Sequence, residues 1–321
     1  MISTPAEKAK AYLQIHIAVL LFGITAILGK LIVLQETALV WHRLWISLLG
    51  LIFIPGVIKG IRHIPKAMLL RFAGIGVIVS LHWLTFYGSI KIGDNASITL
   101  ACLATSTLFT SFLEPMITKS KFQKVELFLG LMVVVGIYFI SGVGSFYFDA
   151  IIVGLSSAFL AALFSVFNKK YIGNYNVLSI SFVELGSGFL FLCFVLPIYE
   201  GGINLDDYAL WGDHLYAKHQ IFGLQIHSFW YLIMLGLLCT SLAYALSLSA
   251  LKVLSAFTTN LAINLEPVYG ILLAMWLFHE NQDLTPEFYL GTGIILLGVI
   301  VHPYLIKVNE RRVKARIIRE N

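Results

Sequence analysis

The sequence predicts an all-α membrane protein, with ten transmembrane helices arranged as two inverted five-helix repeats. Three observations carry that expectation: a deficit of charge, ten apolar runs of membrane-spanning length, and a likeness between the two halves of the chain. Of 321 residues, 59% are hydrophobic and 12% charged, and the mean hydropathy is +0.87. A soluble domain carries roughly 25% charge, so about half the charge needed to coat a water-facing surface is missing. A soluble globular enzyme, a disordered chain and a nucleic-acid-binding module are all excluded. The net charge of +5 does not bring nucleic acid back, because the basic residues sort by membrane side.

A membrane helix needs about 20 mostly apolar residues. Such runs occur at 11–33, 39–58, 68–90, 95–118, 125–141, 150–167, 177–198, 228–250, 255–279 and 288–306. They do not alternate polar with apolar as the strands of a membrane barrel do. The first run follows Lys8 and Lys10, is too long for a signal-peptide core, has no small-residue cleavage site after it, and reads as retained. Connections are short except 199–227, which carries Asp206, Asp207, Asp213, Tyr208, Trp211 and Tyr216 and is expected to lie across the membrane surface.

Orientation follows the lysines and arginines. With the N-terminus in the cytoplasm, 18 of the 22 basic residues fall on the inner side, including Lys119, Lys121, Lys124, Lys169, Lys170 and Lys252. Lys30, Lys91 and Lys218 fall outside, and Arg43 lies within the second run. Both termini are therefore expected in the cytoplasm of a cell (plasma) membrane protein. The basic tail 307–321 reads as a topological anchor that can also meet anionic lipid. Cys102, Cys193 and Cys239 sit in apolar runs without CxxC spacing, as small hydrophobes do. No metal site and no cofactor is expected.

The halves align at a constant offset of 161 between residues 80–130 and 241–291. Ser80-Leu81-x-Trp83 meets Ser241-Leu242-x-Tyr244, Lys91 meets Lys252, Leu100-Ala101 meets Leu261-Ala262, and Gly130 meets Gly291. Upstream, Arg43 and Glu184 take similar places in runs two and seven, each about a dozen residues before a proline, Pro55 and Pro197. Five helices per unit is odd, so the second unit enters from the opposite face, an arrangement of secondary transporters with a site near mid-membrane. The expected units are 11–141 and 150–306, followed by the tail.

These residues make the chain resemble the drug/metabolite transporter superfamily, specifically its ten-helix EamA-type permeases. The second unit carries the likeness best, in Ala250-Leu251-Lys252, LEPVYG at 265–270, Glu280, and GTGIILLGV at 291–299. The first departs from it. Thr105-Ser106 stand where the family usually has a residue followed by proline, and Lys119 stands at the place of Glu280. The resemblance implies transport, most often export, of small metabolites such as amino acids or related compounds.

An ionisable side chain at mid-membrane costs about 2.5–3.5 kcal/mol on insertion scales and so marks a candidate site. At 1.5 Å per residue, Glu266 is the deepest acid, followed by Pro267, which cannot donate to the carbonyl of Ile263. It can engage a cation, a proton or a substrate amino group, or simply sit at a kink. Glu184 lies nearer the inner face and is read as a gate. Arg43, about 6 Å from the outer face, is expected to snorkel toward Glu36 and to make no direct contact with Glu184. Glu114 is expected in a surface ion pair beside Lys119 and Lys121.

Trp83, Tyr87 and Tyr244 are candidates to cap apolar substrate surface, against the alternative that membrane aromatics only pack. His82 is a candidate proton relay or a packed histidine. Run four is rich in hydroxyls: Ser106 and Thr110, beside Thr107 and Ser111, either line a wet cavity or bond between helices. Asn260 and Asn264, one turn apart on run nine, face the same choice.

GITAILGK at 23–30 fails as a phosphate loop, with one residue too many between its glycines and Leu31 in place of Ser or Thr. Nothing in the sequence reads as an ATPase or another enzyme. Two other classes remain. A membrane-embedded lipid-modifying enzyme requires clustered acids or a nucleophile–base pair, and a non-transporting scaffold requires more partner surface than these loops offer. The expected partners are a small-molecule substrate and the bilayer.

Overall fold

The computed structural model describes residues 4–32, 34–93, 96–141, 148–199, 218–221, 224–266, 268–270, 272–273 and part of 286–308. Helix α1 (Pro5–Leu31) starts on a capping box: the Thr4 hydroxyl accepts from the Glu7 amide at 3.2 Å, and the Glu7 carboxylate accepts from the Thr4 amide at 2.7 Å. Pro5 occupies the first turn, where its missing N–H costs nothing. Helix α2 (Glu36–Ile52) is shorter than the apolar run suggested and begins earlier. Pro55 cannot extend it, and Gly56, at φ 89°, turns the chain into the short α3 (Val57–Arg62).

Helix α4 (Lys66–Gly93) is unbroken, whereas the fourth run divides into α5 (Ala96–Ala104) and α6 (Ser106–Thr118). At the joint Thr105 turns back on its own chain, its amide and hydroxyl both donating to the Cys102 carbonyl, at 3.0 and 2.6 Å. Helices α7 (Lys124–Ser141), α8 (Phe148–Tyr171) and α9 (Val177–Tyr199) follow. Within 199–227 the described part is an antiparallel pair, β1 (Lys218–Ile221) with β2 (Leu224–His227), in register Lys218 to His227. This pair is a local departure from an all-helical chain. The Asp206, Asp207 and Asp213 cluster, Pro267 and Glu280 lie outside the described residues.

The next rod combines α10 (Ser228–Gly236), a π-helical turn (Leu237–Leu242) and α11 (Ala243–Leu251). The π-turn carries a chain of hydroxyls: Thr240 Oγ1 donates to the Leu235 carbonyl at 2.7 Å, and Ser47 Oγ on α2 reaches the Gly236 carbonyl at 2.8 Å. Helix α12 (Ala256–Ile263) begins on Ser255, whose hydroxyl accepts from the Thr258 amide. Glu114 corrects the sequence expectation. It is buried, and its two oxygens accept from the amides of Ala256 and Phe257 at 3.1 and 2.8 Å. A carboxylate on the positive end of a helix is stabilised by free amides and dipole together.

Among the described residues, four helices are long and apolar enough to cross a membrane: Lys66–Gly93, Phe148–Tyr171, Val177–Ile198 and the rod Ser228–Leu251. Large apolar side chains such as Phe53, Met116, Phe194 and Ile198 point outward and are more than 70% exposed, a surface suited to lipid and costly in water. Inside, α4 packs on α8 and α9, the rod packs on α1 and α2, and α6 packs on α12. Without a strong hydrophobic drive between helices in lipid, close approach through small residues matters. The α4–α9 crossing depends on it. A Cβ at Gly76 would collide with the Glu184 carbonyl, and one at Gly188 would lie 2.8 Å from the Gly76 carbonyl.

Gly76→Val is therefore expected to force α4 and α9 apart, costing about 1–3 kcal/mol or more. Thermal unfolding of the detergent-purified protein reads it. A melting temperature equal to that of the native chain would show that the crossing tolerates a side chain.

Candidate functional site

A cavity of about 90 Å³ opens among α1, α2, α4, α6, α8, α11 and α12. At roughly 10–15 Å³ of such volume per water, it holds about six to nine waters or a small solute. Arg43, His82, Trp83, Ser106, Asn168, Tyr244, Asn260 and Glu266 contribute its polar and aromatic lining, and Phe86, Phe164 and Leu248 part of its apolar wall.

Arg43 governs one side. It is 3% exposed, far from the outward-pointing anchor the sequence suggested. Its Nε donates to Thr240 Oγ1 at 2.7 Å, Nη1 donates to the Tyr87 hydroxyl at 3.1 Å, and its Cζ lies 4.1 Å from the Trp83 ring centroid. Glu36, its expected partner, instead pairs with Lys91 at 3.0 Å. The depth estimate failed because α2 starts at Glu36, which puts Arg43 about 10 Å along a helix about 25 Å long. Burying a guanidinium costs several kcal/mol. Charge-assisted hydrogen bonds of about 1.5–3 kcal/mol each and a desolvated cation–π contact of about 2 kcal/mol offset it.

Trp83 and Tyr244, matched by the internal offset, meet edge-on with centroids 6.5 Å apart. Beyond them the Tyr244 hydroxyl donates to Glu184 Oε2 at 2.5 Å, and Asn168 Nδ2 approaches the same oxygen at 3.3 Å. Glu184 is fully buried. It has no ion pair with Arg43 among the described residues; Trp83 and Tyr244 stand between them. His82 faces the cavity but is also tied down. Its Nδ1 lies 3.0 Å from the Ser157 carbonyl, and the Ser157 hydroxyl reaches the His82 carbonyl at 3.0 Å. An Nδ1–H tautomer satisfies this pattern and leaves Nε2 as an acceptor.

The hydroxyl and amide candidates divide. Asn260 Nδ2 donates to Thr110 Oγ1 at 2.7 Å, and Asn264 Nδ2 donates to Thr107 Oγ1 at 2.6 Å, so these four residues stitch α12 and the turn after it to α6. Asn260 and Ser106 also line the cavity, while Thr110 and Asn264 do not. Tyr87 likewise acts through Arg43 rather than on the cavity. Glu266 differs from all of these. It lines the cavity, yet no hydrogen bond or ion pair engages its carboxylate among the described residues.

Sequence reasoning missed Arg43 as a cavity residue and missed altogether Asn168 and Thr25, which also line the cavity. Asn168 stands just before Lys169-Lys170, where hydropathy falls, but α8 continues to Tyr171. Lys169 folds back instead, its ammonium donating to the carbonyls of Leu251 and Leu254 at 2.9 and 2.6 Å. That contact lets a lysine end a buried helix.

The EamA-like transporter family model matches the chain twice, over residues 9–142 and 149–302. No curated protein matches the sequence. Among solved structures 27 chains match. One of them, described only as a crystal structure of a protein, is similar with a TM-score of 0.70 at 13% identity, over 96% of this chain and 100% of its own. A likeness at that identity shows the fold alone. Matched in two repeats along nearly its whole length, the chain belongs to the EamA-like transporter family, a family of membrane transporters.

Proposed function

We propose that the protein is a secondary transporter that carries small polar or amphipathic metabolites, such as amino acids or related compounds, out of the cell by alternating access. The observation that carries this reading is the cavity itself, which holds an engaged guanidinium on one side and an unengaged carboxylate, Glu266, on the other. A transport site needs polar groups that are paired well enough to fold yet open enough to take a solute. Trp83 and Tyr244 cap apolar substrate surface, Ser106 and Asn260 bond polar groups, and Glu266 engages a cation or amino group. Tyr87, Thr110 and Asn264 hold these groups in place. His82, Glu184 and Glu266 serve coupling or gating.

The proposed frame is ten spans in two inverted units, 11–141 and 150–306, with both termini and the tail cytoplasmic in the plasma membrane. Helix pairing supports it. Exchanging the units turns α4–α8 into the rod with α1, α4–α9 into the rod with α2, and α6–α12 into itself, and all of these pairs are in contact. The charges obey the same exchange: Arg43 lies on Trp83, and Glu184 binds Tyr244. An enzyme reading lacks a nucleophile–base pair among the described cavity residues.

In liposomes the purified protein should show saturable counterflow with at least one compound of a metabolite panel. Glu266→Gln should weaken apparent affinity about 10- to 100-fold, the equivalent of a lost charged hydrogen bond, with Glu266→Ala similar. Unchanged transport in both would make that acid structural, and absence of counterflow with every compound would favour the scaffold reading. Arg43→Met should lower both transport and melting temperature, because it leaves Tyr87 and Thr240 without their donor. For orientation, a cysteine replacing Lys91 in a cysteine-free background should react with an impermeant thiol reagent in intact cells. One replacing Lys121 should react only after permeabilisation; the reverse pattern inverts the topology.

A further inference from the structure

Behind the cavity wall two polar atoms lack partners. Glu184 and Asn168 are both fully buried, and Glu184 Oε1 and Asn168 Oδ1 make no hydrogen bond. Both residues are otherwise engaged on one side only. Asn168 Nδ2 donates to Glu184 Oε2 at 3.3 Å and lies 3.5 Å from the Tyr244 hydroxyl, which itself donates to Oε2 at 2.5 Å. With the carboxyl ionised, one of its oxygens is bare in an apolar interior, beside a bare amide carbonyl. Leaving such a group without a partner is unfavourable, and more so when it is charged.

One proton resolves both orphans. A carboxylic acid and a primary amide are complementary: the amide N–H donates to the acid carbonyl, and the acid O–H donates to the amide carbonyl. The first of these two bonds already exists here, and the unpartnered atoms are the two that the second would join. A metal cation fits less well, since it needs about six oxygens around it, and this cluster offers four.

Among the described residues the other charges near the site are engaged elsewhere or exposed, save Glu266, which lines the cavity, whereas Glu184 is not part of the lining. Helix α9 carries no other carboxylate and no base, and it packs against α2, α3, α4 and α11. On α2, Arg43 is held by Thr240 and Tyr87, Glu36 pairs with Lys91, and His42 accepts from Trp45. On α3, Lys59 and Arg62 are exposed. On α4, Lys66, Arg71 and Lys91 are exposed, His82 is tied to Ser157, and Tyr87 to Arg43. Helix α11 presents Tyr244. On α8, Asp149 and Lys170 are exposed, and Lys169 caps carbonyls.

We propose that Glu184 and Asn168 form a proton-binding pair, with the proton on Glu184 Oε1 donated to Asn168 Oδ1, and that its release is linked to solute binding in the cavity. The linkage rests on the transport reading above; the proton pair does not. Asn168 and Tyr244 line the cavity while Glu184 stands behind them. A solute that captures the Asn168 amide removes the acceptor of the acid O–H. That O–H bond then breaks, its proton passes to water, and the carboxylate left behind keeps the Tyr244 donor. Linkage is reciprocal, so bound proton and bound solute weaken each other equally.

Infrared difference spectroscopy of the full-length protein in lipid, recorded as a function of pH, tests the pair without any transport assay. The native chain should show a carboxylic-acid C=O band that Glu184→Gln abolishes completely. Glutamine retains an amide–amide pair with Asn168, so this variant should fold and melt as the native chain does. Asn168→Ala should move the band to higher frequency, because the acid carbonyl loses the amide donor. Absence of a Glu184→Gln-sensitive band, or a band that responds to sodium at fixed pH, overturns the proton pair. If the band behaves as expected but solute addition releases no protons from the native chain, the linkage is wrong and the pair stands. If no compound is carried at all, the transport reading fails separately.

Discussion

A guanidinium held in the apolar middle of the molecule is the interaction on which the rest of the site depends. Arg43 brings three elements into one geometry: its own helix, α4 through Trp83 and Tyr87, and the π-turn through Thr240. Only a planar, permanently charged fork can donate sideways and end-on while lying over an indole, and lysine has no equivalent geometry. Glu266 lines the same cavity as that cation and, among the described residues, has no direct partner. Trp83 in turn has a defined face against which Tyr244 packs. The Tyr244 hydroxyl then settles on Glu184. A line of contacts therefore runs from an arginine on α2 to a glutamate on α9, through two aromatic rings.

Two further charges in the interior meet backbone rather than an opposite charge. Glu114 takes the first amides of α12, and Lys169 takes the carbonyls that end α11. Helix ends that meet inside a bundle leave amides and carbonyls unsatisfied, and a side chain of the right sign is the compact way to satisfy them. Charge is scarce in this chain, and Glu114 and Lys169 use theirs at helix ends, while Arg43 and Glu266 line the cavity and Glu184 stands behind it.

How much of this was legible in the sequence depended on which physical signal carried it. Membrane character and family were legible, because hydropathy and the offset of 161 average over many residues. The same offset singled out Trp83 and Tyr244, and residues that a duplication makes equivalent can meet near the line relating the copies. Depth was not legible. Apolar runs do not mark helix ends, so Arg43 was placed by counting from the wrong residue, and Asn168 was lost beside two lysines. Partners were not legible either. Glu114 has lysines nearby in sequence, and nothing in a linear reading says that the start of α12 lies closer. Thr110 and Asn264 were recognised as polar, but whether they line space or fill it depends on the partner helix alone.

The π-turn at Leu237–Leu242 has a further consequence. A wide turn leaves main-chain oxygens that the ordinary ladder would use, and here hydroxyls take them, one from Ser47 on α2. Pulling α2 away from the rod would leave the Gly236 carbonyl to Ser241 Oγ alone and would part the Arg43 guanidinium from Thr240, in a medium with no other acceptor for it. The joint can part only if water follows it in. Hydration of the interior and separation of these two helices are thus a single event.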